Sequence, residues 1–150
     1  MNVVLQRVSK ASVTVDKNII SKIENGVLIL LGITNEDTTN DIQWLTKKIA
    51  NLRIFDDENG VMNKSIIDIN GDAIVVSQFT LLASTKKGNR PSYIKAAKPD
   101  VAIPIYEIFI QELEILLGKK IGKGIFGADM KVALINDGPV TIIIDSKNKK

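Results

Sequence analysis

A proline stands in the middle of the most strand-like stretch of this chain. Met130-Lys131-Val132-Ala133-Leu134-Ile135 alternates as a strand does, Asn136-Asp137-Gly138-Pro139 interrupts it, and Val140-Thr141-Ile142-Ile143-Ile144 resumes at once. Proline has no backbone donor and a fixed φ, so it does not belong inside a paired strand. The X-Pro linkage also makes a cis peptide accessible. Turn chemistry predicts a hairpin turn joining two strands, 130–135 and 139–145. A second reading makes the Gly138-Pro139 step one wall of a pocket. Its partner would be Ser77-Gln78-Phe79-Thr80-Leu81, where polar groups end the apolar run Ala73–Val76.

What the chain lacks narrows its chemistry. It has neither cysteine nor histidine. Thiol nucleophiles, disulfides, Cys/His metal sites and an imidazole base are therefore all excluded. A Ser-His-Asp triad cannot be built from it. Catalysis must use hydroxyls, carboxylates, amines, backbone dipoles or groups of the substrate itself.

A length of 150 residues, with 45% apolar and 25% charged side chains, fits one domain, 1–150, with its own core. No apolar run reaches the ~20 residues of a membrane helix, and the first residues lack signal-peptide character, so the expected location is cytoplasmic. The 20 basic and 17 acidic residues leave a net charge of +3. Lys86, Lys87, Arg90, Lys95 and Lys98 crowd one loop, Lys119, Lys120 and Lys123 form a second group, and Lys147, Lys149 and Lys150 a third. Phosphates need such charges, yet lysine groups are usually solvated surface.

The first third reads as strands: Val3 to Val8, Ala11–Val15, Ile19–Glu24 and Val27–Leu31, with Asn25-Gly26 as a two-residue hairpin signal. Thr38 or Thr39 caps a helix to about Asn51, whose face is Ile42, Leu45, Ile49 and Leu52, with Trp44 packing. Leu52–Phe55 is a short strand, and Asp56-Asp57-Glu58-Asn59-Gly60 reads as a solvated turn or, less simply, a metal loop. Ala73–Phe79 is a strand, Leu82–Pro99 mostly loop. A second helix over about Val101–Leu117 ends at Gly118, buries Ile105, Ile108, Phe109, Leu113 and Leu116, and must accommodate Pro104. The fold class is α/β: a layered domain with a mostly antiparallel, mixed sheet and two helices on one side.

Thr80 carries a hydroxyl that could attack an ester or orient a water, but it is equally an ordinary β-branched strand residue. Gln78 alternates with it and would share its face if the strand persists that far. Asp129 and Asp137 are candidate bases and also natural turn residues. Gly122, Gly124 and Gly127 allow close approach, while Phe126 and Met130 are core or the wall of an apolar pocket.

Ser77-Gln78-Phe79-Thr80-Leu81, Gly124-Ile125-Phe126-Gly127-Ala128-Asp129-Met130 and Asn136-Asp137-Gly138-Pro139-Val140-Thr141 together resemble the signatures of the D-aminoacyl-tRNA deacylases. Leu5-Gln6-Arg7-Val8, Leu52-Arg53-Ile54-Phe55 and Lys87-Gly88-Asn89-Arg90-Pro91-Ser92-Tyr93 extend the likeness, in collinear order, along nearly the whole chain. Tyr93, where phenylalanine is more familiar, is a mild departure.

The resemblance implies a homodimeric ester hydrolase acting on D-aminoacyl-tRNA and glycyl-tRNA, dimerising through the sheets, with active sites at the subunit interface. Gly138-Pro139 of one subunit would enter its partner's pocket, bind the substrate ammonium group by main-chain carbonyls and exclude L-side chains. Ser77, Gln78, Phe79 and Thr80 would surround the scissile ester. Either Thr80 is the nucleophile, or the ribose 2′-hydroxyl assists a water while backbone N–H groups near Phe79 and Thr80 hold the oxyanion; the missing histidine favours the second. Ala102, Phe126, Met130 and Asn136 would line the substrate pocket, and Lys86, Lys87 and Arg90 would contact tRNA. Neither metal nor cofactor is called for. A non-catalytic nucleic-acid-binding module and a small-molecule esterase remain the alternatives.

Overall fold

The computed structural model describes residues 1–149; Lys150, the last of the basic tail, lies outside them. Eight strands and two helices follow one another as β1 Asn2–Val15, β2 Asn18–Ile23, β3 Gly26–Gly32, α1 Thr39–Asn51, β4 Phe55–Asp56, β5 Met62–Lys64, β6 Asp72–Ser77, α2 Pro99–Leu117, β7 Gly122–Lys123 and β8 Lys131–Asp145. β1 is the organiser. One edge pairs antiparallel with β2 and then β3, the other with β8, and β3 continues into β6 and β7 by parallel pairing. The sheet is therefore mixed, as expected. It also curls: the Ser21 hydroxyl of β2 donates to the Lys123 carbonyl of β7 at 2.7 Å and accepts that residue's N–H at 3.0 Å.

β3 and β6 are covered on both faces, which is why they read as unbroken apolar runs. Val27, Ile29, Leu31, Ala73 and Val75 face a core shared with Ile42, Leu45 and Ile49 of α1 and Tyr106, Phe109 and Leu113 of α2. Leu28, Ile74 and Val76 face a second cluster with Val8, Ala11 and Val13. Both helices thus lie on one side. α1 begins after Thr38, whose N–H donates to the Asp41 carboxylate at 2.8 Å, the reciprocal cap expected at such a start. α2 begins at Pro99 and runs through Pro104, on an exposed face where water can satisfy the carbonyl that proline leaves unpaired. Its Ile108 is exposed, and Tyr106, absent from the expected face, is buried instead. No helix among the described residues is long and apolar enough to cross a membrane.

Three local expectations fail. The hairpin turn is Asp16-Lys17, both at positive φ as a tight two-residue turn requires, and not Asn25-Gly26. β2 and β3 instead run on as one line along β1, in a single register across residues 24 and 25. Gly26 is there because a Cβ would sit 1.8 Å from the Asp72 carbonyl oxygen. The Leu52–Phe55 strand shrinks to Phe55–Asp56, paired with β5 around a turn that Asp57 caps by accepting N–H groups from Asn59 and Val61. Finally, β6 stops at Ser77, and Phe79–Leu82 forms a 3-10 turn.

Candidate active site

The proline that interrupts residues 130–145 makes no hairpin. Both halves pair with β1, so they form one strand with a bulge. Between the partners Gln6↔Thr141 and Lys10↔Ile135, β8 takes six residue steps to β1's four, and the surplus loops out at Asp137-Gly138-Pro139, all exposed. The Gly138-Pro139 peptide is cis. Gly138 has φ +127°, and a Cβ there would lie 2.9 Å from an Arg7 nitrogen, so no other residue fits.

Arg7 fixes the bulge from beneath. Its side chain is nearly buried; Nε donates to the Asp137 carbonyl at 3.0 Å and Nη1 to the Ile54 carbonyl at 2.7 Å. The Asp56 and Asp137 carboxylates lie 3.5 and 3.6 Å from it. Asn136 completes the frame: its Oδ1 accepts the Val140 N–H at 3.1 Å and its Nδ2 donates to Thr141 Oγ1 at 2.9 Å. No functional role for Arg7 was expected. The signal was present, since Val3, Leu5 and Arg7 share the inward parity of β1.

A cavity of about 270 Å³ opens elsewhere on the chain, between the end of β6, the start of α2 and the 124–130 loop. Ser77, Gln78 and Phe79 form one wall, Ala102, Phe126 and Met130 another. Phe126 is held edge-to-face by Tyr106 at 5.9 Å, whose buried hydroxyl donates to the Val75 carbonyl at 2.9 Å. Burial, reinforced by nearby Glu107, pushes that hydroxyl's pKa up, so Tyr106 is a fixed donor, not an acid–base group.

The polar wall has its own logic. Among the described residues, the N–H groups of Phe79 and Thr80, first in the 3-10 turn, meet no acceptor. The Gln78 amide donates to Thr80 Oγ1, so these two side chains meet although the strand does not persist. Neither candidate base touches that hydroxyl: both Asp129 oxygens accept from Lys131 Nζ, and Asp137 belongs to the bulge. Asn136, Gly138 and Pro139 do not line the cavity of their own chain.

The D-Tyr-tRNA(Tyr) deacylase family model matches residues 4–145. The chain belongs to this family. The D-aminoacyl-tRNA deacylases of Flavobacterium psychrophilum and Parabacteroides distasonis are 68% and 64% identical over 150 residues, each covering the whole of both chains. Among solved structures, the c-Myc DNA Unwinding Element Binding Protein superposes with a TM-score of 0.90 at 42% identity, covering 97% of this chain and 98% of its own. A probable eukaryotic D-amino acid tRNA deacylase shares the fold, with a TM-score of 0.82 at 15% identity over 95% of this chain and 97% of its own.

In this family member the two basic groups differ. Lys119, Lys120 and Lys123 each pair with a carboxylate, from Asp72, Glu114 and Glu107. Lys86, Lys87 and Arg90 sit exposed on a loop closed by mutual backbone hydrogen bonds between Ser84 and Ser92, at 2.8 and 2.9 Å. None of those three has an anionic partner within 4 Å among the described residues.

Proposed function

We propose that this chain hydrolyses the ester joining a D-amino acid or glycine to the 3′ end of tRNA, in the cytoplasm and as a homodimer. The observation that carries this reading is the cavity wall at Ser77–Phe79 together with Thr80, which follows it in the 3-10 turn just outside the lining. Two free backbone N–H groups stand beside a hydroxyl that is held by an amide and contacted by no base. Such a wall suits an oxyanion better than it suits a nucleophile.

The terminal adenosine would lie against Ala102, Phe126 and Met130, with the ester carbonyl oxygen toward the N–H groups of Phe79 and Thr80. A water adds to the carbonyl carbon as it gives a proton to the neighbouring ribose 2′-oxygen, and the 2′-hydroxyl gives its own proton to the leaving 3′-oxygen. Collapse of the tetrahedral species releases the amino acid and free tRNA. Each backbone donor is worth about 3 kcal/mol to the oxyanion, and an ester needs no stronger catalyst. No metal takes part.

Handedness would be read by the bulge of the partner subunit. Arg7 and Asn136 hold Asp137-Gly138-Pro139 out from the edge strand, and Gly138 and Pro139 do not line the cavity of their own chain. Main-chain carbonyls there would accept the substrate ammonium, leaving a D-side chain open space and an L-side chain a collision. Glycine has nothing to reject.

Deacylation of one tRNA charged with D-, L- and unsubstituted amino acid tests this: the D- and glycyl esters should be cleaved and the L-ester spared. Equal cleavage of both enantiomers overturns the chiral reading. Thr80→Ala should keep its rate to within about tenfold, because no base activates the hydroxyl. A loss of a thousandfold would restore Thr80 as nucleophile. The unpaired basic loop also suits a nucleic-acid-binding module without turnover; salt-sensitive gel shifts with no ester cleavage would favour it.

A further inference from the structure

Between Asp72 and Asp100 the chain contains no acidic residue, yet this stretch holds Lys86, Lys87, Arg90, Lys95 and Lys98. All five are exposed, and none has an ionic partner within 4 Å among the described residues. At its centre lies an aromatic step. Phe79 and Tyr93 meet edge-to-face, ring centroids 5.0 Å apart at 77°, and remain 57% and 37% exposed. Ile94 beside them is 87% exposed. Large apolar groups left open among unpaired cations are costly unless something covers them.

The step is continuous with the cavity. Phe79 lines it, and the chain from Tyr93 returns to it: the Ala96 N–H donates to the Tyr93 carbonyl, the Ala97 N–H to the Ile33 carbonyl, both at 2.9 Å, and Ala97 is again in the wall. Aromatic faces flanked by mobile cations are how proteins hold unpaired nucleotides, the rings stacking on bases and the cations on phosphates. We propose that Tyr93, braced against Phe79, is a stacking subsite for the nucleobase immediately 5′ of the terminal adenosine. The loop 84–92 places its cations on the phosphates that follow. This rests on the deacylase reading above and deepens it: specificity for a single-stranded RNA end, beyond the aminoacyl-adenosine, is built into the cavity rim.

The test compares D-aminoacyl-tRNA with a D-aminoacyl-adenosine that has no upstream nucleotides, in natural protein and in Tyr93→Ala, Tyr93→Leu and Tyr93→Phe. KM for the tRNA should rise about tenfold in the Ala and Leu variants and stay unchanged in Phe, the size expected for one lost base stack. KM and kcat for the short ester should not change in any of them, which also certifies that the variants fold. A tRNA abasic at the penultimate position should show the same rise with natural protein and no additional rise with Tyr93→Ala. Equal losses on both substrates, or none on either, overturn the subsite. If natural protein cleaves neither substrate, the deacylase reading itself has failed, a distinguishable result.

Discussion

β3 and β8 are built from much the same residues, Val27-Leu28-Ile29-Leu30-Leu31 and Val140-Thr141-Ile142-Ile143-Ile144, and have opposite fates. The inner strand is buried on both faces, with only Leu30 partly open. No residue of β8 within 131–145 is fully buried, and Ile143 is 78% exposed. Composition does not separate them; position in the sheet does. An inner strand has neighbours on both edges and layers on both faces, so apolar burial alone secures it. An edge strand has one free edge, where a bulge can form without breaking a second ladder. The device proposed to read chirality therefore sits where deformation costs least, and polar contacts replace the missing burial.

That contrast can be broken at three points, in decreasing order of effect. Gly26→Ala strikes the inner strand, where a Cβ would meet the Asp72 carbonyl 1.8 Å away and β6 cannot retreat from its own covering layers. The expected loss exceeds about 3 kcal/mol in urea unfolding; a loss under about 1 kcal/mol would mean the inner ladder is looser than described. Arg7→Ala strikes the bulge, stripping the Asp137 and Ile54 carbonyls of their donors. It should cost about 2–3 kcal/mol and reduce discrimination between D- and L-aminoacyl-tRNA. Retained discrimination in the folded variant would show that the bulge holds its shape without the guanidinium.

The smallest effect separates the strands by pH. Just past β8, Ser146 donates to Asp41 at 2.8 Å and Lys147 to its other oxygen at 2.8 Å. Burial would raise the Asp41 pKa, but the bonds from Lys147, Thr38 and Ser146 prevail and hold it well below the ordinary range. A depressed folded-state pKa gives stability that is complete above the unfolded value, about 4, and drains away as pH falls below it. Asp41→Asn should therefore cost about 1–2 kcal/mol at pH 7, with the gap to natural protein narrowing at pH 3 and lower. A gap independent of pH would assign the loss to packing instead of charge.

The site was partly legible. Ser77–Thr80 and Gly138-Pro139 stand out because polar groups and a proline end or interrupt apolar runs, an expense that ordinary strands avoid. Arg7 stood in a stretch that carries the family likeness but was given no role, because a lone arginine in a strand resembles solvated surface unless its inward parity with Val3 and Leu5 is noted. Tyr93 drew attention only as a departure from phenylalanine, since its contact with Phe79 spans fourteen positions of chain. The separate treatment of the basic groups likewise needed coordinates: Lys119 finds Asp72, 47 residues away, whereas Lys86 has no carboxylate within 4 Å among the described residues.

By itself the sequence determined what is local: where apolar runs begin and end, where Thr38 and Gly118 cap their helices, and which reactions a chain without histidine or cysteine cannot perform. Tertiary structure decided what depends on a distant neighbour. Asn25-Gly26 carries a turn signal, yet Gly26 serves the close approach of a backbone 46 residues on; Asp16-Lys17 carries none, yet turns because β1 and β2 pair around it. Gly138-Pro139 promises a hairpin and becomes a bulge, because β1 is long enough to pair with both halves of β8 at once. Turn propensities are worth about a kilocalorie, and a ladder of paired strands outweighs them.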